Sequence, residues 1–227
     1  RQWSRGLGDV YKRQVHGINI AAREVSGDFF SFYPHNDSIY FAIADVAGKG
    51  IHAGMVMAKA STLFEVLSQS KVDPDEMVFH MNNDLNNTKT AGMFVTSIIG
   101  EYNLITDEIR WVNAGHQPAV IRKNNGEYDQ IESSAPPLGV IRQKDKSVYN
   151  IHKMKLNGSR FYAFTDGLSE SLNDKGEEIG IDGSIDIIEQ NYSKETTKQL
   201  DNITKSVINV SKSQKLTDDL TLICIGK

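Results

Sequence analysis

Apolar runs of strand length alternate with turn chemistry along most of this chain. Residues 15–22 alternate apolar and polar in the manner of a β-strand. Residues 29–33 and 39–44 are two more such runs, separated by Pro34-His35-Asn36-Asp37, and they predict a hairpin. Residues 94–102 and 108–114 pair in the same way through Thr106-Asp107. Residues 119–122 and 128–131 flank Asn124-Asn125-Gly126, a strong hairpin signal. Runs at 147–154, 160–164 and 220–225 complete the predicted strands.

Four segments carry a helical period instead. In residues 51–70, Met55, Ala58, Thr62 and Val66 recur at helical spacing with Leu63 and Leu67 beside them. That stripe predicts the face turned to the core, with the methionines as filler. Asp73-Pro74-Asp75-Glu76 is a helix start, with Asp73 as N-cap and Pro74 in first position, and Val78, Met81 and Leu85 continue it. Residues 181–192 and 194–213 read as two further helices. Strands joined by short turns, together with paired helices, predict an α+β fold in which antiparallel sheet packs on helices.

A length of 227 residues suits one sizeable domain, and no Pro/Ser-rich linker divides it. Residues 1–14 differ from the rest. They hold Trp3, four basic residues and two glycines without any period, so they are set aside as a non-native or disordered leader, leaving a domain over 15–227. A net charge of −4 argues against a nucleic-acid binder. Cys224, the single cysteine, lies in an apolar run and reads as a buried, inert thiol. No apolar stretch approaches a membrane span and no signal peptide is evident, so a cytoplasmic setting is expected.

The candidate chemistry lies where apolar runs meet carboxylates. Residues 39–44 end at Asp45, followed by Gly48-Lys49-Gly50. Residues 161–164 lead to Thr165-Asp166-Gly167. Asp218-Asp219 comes just before the last run, and Gly27-Asp28 just before Phe29. Each position has an ordinary reading: a turn residue at Asp28, a helix cap at Asp45, a turn dipeptide at Asp166-Gly167. Four together, with no Cys/His cluster, suit hard cations such as Mg²⁺ or Mn²⁺, and two such ions suit phosphoryl chemistry. Gly48-Lys49-Gly50 lacks the spacing and the hydroxyl residue of a P-loop. His116 reads either as a general acid or as a histidine satisfied within its loop.

From Val15 onward the chain resembles the SpoIIE/RsbU-type branch of the metal-dependent (PPM) serine/threonine protein phosphatases. The resemblance rests on Glu24-Val-Ser-Gly27-Asp28-Phe-Phe, Ala44-Asp45-Val-Ala-Gly48-Lys49-Gly50, Met93-Phe94-Val-Thr96, Asn113-Ala-Gly115-His116, Pro137-Leu-Gly139, Phe164-Thr165-Asp166-Gly167-Leu-Ser-Glu170 and Thr217-Asp218-Asp219-Leu-Thr221. It implies a four-layer α-β-β-α sandwich of two mainly antiparallel sheets flanked by helices. It implies a hydrolase acting on phosphoserine or phosphothreonine with two Mn²⁺ or Mg²⁺ ions, through hydroxide attack on phosphorus. Carried over, Asp45 bridges both ions and the Val46 carbonyl adds a ligand. Asp166 and Asp218 complete one shell, Asp28 serves the second ion, and Asp219 orients water or binds beside them. Arg23 is a candidate phosphate contact by its spacing.

The same resemblance implies regulatory helices over 51–87, a small STAS-type anti-sigma-factor antagonist as substrate, and a possible homodimer. An upstream sensor or regulatory domain is implied as well, absent from this chain. Two departures stand out. Ser31 and Ser26 replace an Asp and a Gly of the Gly-Gly-Asp-x-x-Asp pattern, and Ala47 stands where eukaryotic relatives have a histidine. Ser31 motivates an alternative, a metal-poor pseudophosphatase that binds a partner and transmits a signal.

Overall fold

The computed structural model describes residues 2–4, 15–22, 24–87, 92–173, 175–210, 216 and 218–226. Strands β1 (Gln2–Ser4) and β2 (Val15–Ile20) come first, then the hairpin β3 (Phe29–His35) and β4 (Ser38–Val46). Helices α1 (Ile51–Gln69) and α2 (Pro74–Asn87) follow. Next are β5 (Val95–Asn103), β6 (Glu108–Ala114), β7 (Ala119–Arg122), β8 (Tyr128–Ile131), β9 (His152–Lys155) and β10 (Arg160–Phe164). Helices α3 (Asp166–Ser169), α4 (Gly180–Gln190) and α5 (Thr196–Val210) precede the last strand, β11 (Leu220–Ile225).

The strands form two sheets, ordered β1-β2-β11-β10-β7-β8 and β3-β4-β5-β6-β9. Every neighbouring pair is antiparallel. The alternation along each strand explains the layering, because successive side chains point to opposite faces. Phe41, Ile43, Ile98, Trp111, Phe161 and Ile223 face inward and fill the space between the sheets. Ala42, Ala44, Ile99 and Val112 face outward under α1 and α2, with Phe64, Met77 and Met81 over them. Tyr162, Phe164, Leu222 and Cys224 face outward on the other sheet under Ile188, Leu200, Ile203 and Val207. The result is the four-layer α-β-β-α sandwich.

Two local expectations, the core face of α1 and the strand over 147–154, need correction. The buried face of α1 is Ala53, Ala60, Phe64 and Ser68. The stripe read as its core face points outward, with Met55 67% and Val66 55% exposed. Residues 147–154 form no single strand: a 3₁₀ turn at Lys146–Val148 precedes the short β9. Within the stretch set aside as a leader, β1 pairs with β2, Trp3 opposite Asn19, while residues 5–14 lie outside the described residues. Among the described residues, no helix is long and apolar enough to cross a membrane.

Candidate active site

Register brings the acidic positions to one edge of the sandwich. Phe29 pairs with Ala44, so one step further along the hairpin Asp28 comes beside Asp45. Asp45 pairs with Thr96 on the inward face of β4, at the end of the row that holds Phe41 and Ile43. Phe164 pairs with Leu222, which brings Asp166 beside Asp218-Asp219 at the same end of the other sheet. Gly167 permits this approach, since a Cβ there would run into the carbonyl oxygen of Asp219. After Val46 the chain reverses through Gly48 and Gly50, both at positive φ (142° and 80°), and enters α1.

Asp28 is 4% exposed and sits in a hydroxyl cradle. Its Oδ2 accepts hydrogen bonds from Thr165 Oγ1 at 2.6 Å and Thr221 Oγ1 at 2.8 Å. Asn19 Nδ2 donates to Thr221 Oγ1 at 2.8 Å and fixes that hydroxyl. Thr165 and Thr221 are also joined through the backbone, 3.0 Å from Thr165 N to Thr221 O. Sequence reading missed these three residues. The available signal was a polar residue at an inward position of an otherwise apolar strand, which alternation marks but composition does not.

The carboxylates raise one another's pKa. Burial, and then the charge of Asp45, push Asp28 well above the usual range, against the two threonine hydrogen bonds. Burial, and then Asp166, push Asp45 up to about 6, while its hydrogen bond with Asp28 works the other way. Burial and Asp218 raise Asp166. Such mutual repulsion marks negative charge gathered without enough compensation, which is the chemistry of a hard-cation site. The cluster is open: among the described residues, no three His, Cys, Asp or Glu side chains are gathered closely enough to cage an ion.

Asp219 has another occupation. Its Oδ1 accepts from Ala22 N and its Oδ2 from Gly27 N, both at 2.8 Å, so it clamps the segment before Asp28. Gly27 lies against the Val46 carbonyl and the Asp45 carboxylate, as a Cβ on it would be 3.5 Å from Val46 O and 3.9 Å from Asp45 Oδ1. Ser31 pairs with Ala42, whose methyl belongs to the layer under α1, so it faces away from Asp28. Arg23 lies outside the described residues. His116 is 6% exposed, with Nδ1 2.8 Å from Thr96 Oγ1. Burial lowers its pKa to about 4, so it is neutral at pH 7 and poorly suited to donate a proton. Burial pushes the Cys224 thiol up to about 12, which keeps it unreactive.

The family described as Stage II sporulation protein E (SpoIIE) matches residues 35–227. This chain belongs to the SpoIIE family. Phosphoserine phosphatase RsbU of Bacillus subtilis (strain 168) is 29% identical over 217 residues, covering 94% of this chain and 63% of RsbU. Phosphoserine phosphatase RsbP of the same organism is 25% identical over 162 residues, 69% of this chain and 40% of RsbP. The chain thus spans less than two thirds of the length of these curated relatives. Among solved structures, the SiaA-PP2C domain of Pseudomonas aeruginosa superposes with a TM-score of 0.83 at 14% identity, covering 95% of this chain and 87% of that one. RsbX, solved in complex with magnesium, superposes at 0.68 with 19% identity and 98% coverage of both chains. These likenesses establish a PP2C-type fold for this SpoIIE-family chain. The family match begins at His35, so Asp28 and Asn19 lie outside it, while Asp45, Thr165, Asp166, Asp218 and Thr221 lie within.

Proposed function

We propose that this chain is a serine/threonine phosphoprotein phosphatase that works with two divalent cations, Mn²⁺ or Mg²⁺. Asp45, the Val46 carbonyl, Asp166 and Asp218 would hold the cations, with Asp28 beside Asp45. The observation that carries the reading is the convergence of these carboxylates, from both sheets, into one mutually repelling group. The magnesium in RsbX and the phosphoserine phosphatase names of RsbU and RsbP support it. When bound, such cations acidify water and offset charge on the phosphoryl oxygens.

The chain's own residues supply position. Asp45 comes from one sheet and Asp166 and Asp218 from the other, so the packing of the two sheets sets the spacing of the donors. Thr165 and Thr221 hold Asp28 in one orientation. Asp219 holds the backbone of Ala22 and Gly27, with Gly27 against Asp45 and Val46, rather than serving as a donor itself. Ser31, which motivated the pseudophosphatase alternative, lies on the opposite face of β3 and gives that alternative no support. The substrate in this reading is a phosphorylated STAS-type protein of bacterial sigma-factor signalling, met in the cytoplasm. An upstream sensor domain and a homodimer belong to the same reading.

Hydrolysis of p-nitrophenyl phosphate, titrated with Mn²⁺, tests it. Turnover should depend on Mn²⁺ and vanish in Asp45→Ala with the circular dichroism spectrum unchanged. Normal turnover in Asp45→Ala would overturn the assignment.

A further inference from the structure

Lys49 brings a positive charge into the acidic edge. Its Nζ lies 3.0 Å from Asp218 Oδ2. Its charge also reaches Asp166 and Glu170, where it opposes the rise caused by their acidic neighbours. Glycines at positive φ flank it, so the turn fixes its Cα at the rim while the long stem gives the ammonium reach. The side chain is 56% exposed, which makes the contact with Asp218 a weak one.

Both oxygens of Asp218 are engaged. Oδ1 accepts from Asp219 N at 2.9 Å and Oδ2 meets Lys49. A cation that uses Oδ2 must therefore displace the ammonium. Once displaced, Nζ is a compact positive charge at the mouth of the carboxylate group, where a phosphoryl dianion would approach.

We propose that Lys49 is a counter-cation with two stations: it holds Asp218 while no divalent cation is present, and it meets the phosphoryl oxygens of the substrate once a cation has taken Asp218. The proposal rests on the phosphatase reading above. It makes Lys49 both a competitor of the cation and a contact of the substrate, two roles with opposite signs on removal.

The test is Mn²⁺ calorimetry on wild type, Lys49→Met and Lys49→Arg, followed by p-nitrophenyl phosphate kinetics at saturating Mn²⁺. Lys49→Met should bind Mn²⁺ about two- to fivefold more tightly, the size expected when an exposed ion pair no longer competes. Its kcat/KM should fall about tenfold or more through loss of a charged contact to the reacting group. Lys49→Arg, which keeps the charge, should stay near wild type in Mn²⁺ affinity. Equal or weaker Mn²⁺ binding by Lys49→Met would overturn the first station, and unchanged kcat/KM the second. If wild type takes up no Mn²⁺, the phosphatase reading itself fails, a result distinct from both.

Discussion

The space between the two sheets is apolar in its middle and polar at one edge, although the same inward rows run through both. In the middle, Phe41, Ile98, Trp111, Phe161 and Ile223 are essentially excluded from water, and the Phe161 ring meets Phe41 and Trp111 edge-on at 5.5 and 5.2 Å. At the edge the rows end in Asp28, Asp45, Thr96, Thr165 and Thr221. The middle stabilises the fold by removing apolar surface from water. The edge does the opposite, because it gathers carboxylates whose ionised forms repel. Stability and function are thus separated along a single layer.

Substitutions can break that separation if it is wrong. Phe161→Ala should have the largest effect, a loss of about 3–5 kcal/mol in urea unfolding. Mn²⁺ affinity of the fraction that remains folded should be retained. Thr221→Val should cost about 1–3 kcal/mol, because it takes one donor from the buried Asp28 carboxylate and leaves Asn19 Nδ2 without its 2.8 Å acceptor. Unlike Phe161→Ala, it should also weaken Mn²⁺ binding.

Asp45→Asn should stabilise the cation-free protein by on the order of 1 kcal/mol at neutral pH. Burial and the neighbouring carboxylates hold the folded pKa of Asp45 at about 6, above the ordinary aspartate value of about 4. Its contribution to stability is therefore full below about pH 4 and lost as the pH rises through about 6. The advantage of Asp45→Asn should appear over that window and disappear in acid, as melts from pH 4 to 7.5 would record. A variant less stable than wild type at pH 7.5 would refute the repulsion argument. Ser31→Ala, on the far face of β3, should change stability by about 1 kcal/mol or less and leave Mn²⁺ affinity untouched by calorimetry. A clear loss of affinity would place Ser31 in the site after all.

Much of this layer was legible in the sequence. Each acidic position closes an apolar run, and turn residues set the hairpin that puts Asp28 beside Asp45. The cradle was less legible, because Asn19, Thr165 and Thr221 look like solvent-facing strand residues until the pairing is known. Helix α1 was misread for a different reason. It is apolar around most of its circumference, so periodicity could not choose between the Met55–Val66 stripe and the narrower face of Ala53, Ala60 and Phe64. Packing decided in favour of the face of Ala53, Ala60 and Phe64, which joins the core layer of Ala42, Ala44 and Ile99. In α5 only one face is apolar, and Leu200, Ile203 and Val207 are buried as their spacing predicts. Lys49 was weighed only as part of a P-loop, and its pairing with Asp218 spans 169 positions that no local pattern records.

The cradle around Asp28 also bears on the order in which the molecule can assemble. Thr165 reaches it across 137 positions and Thr221 across 193, while the Asp219 clamp on Ala22 spans 197. Contacts so distant in the chain form slowly, since a long loop must close before any of them is made. A nascent chain that has emerged only as far as α4 has Asp28, Asp45 and Asp166 but neither Thr221 nor Asp219 to orient them. The acidic edge is thus completed only once β11 is in place, and competence arrives with closure of the whole fold rather than in instalments.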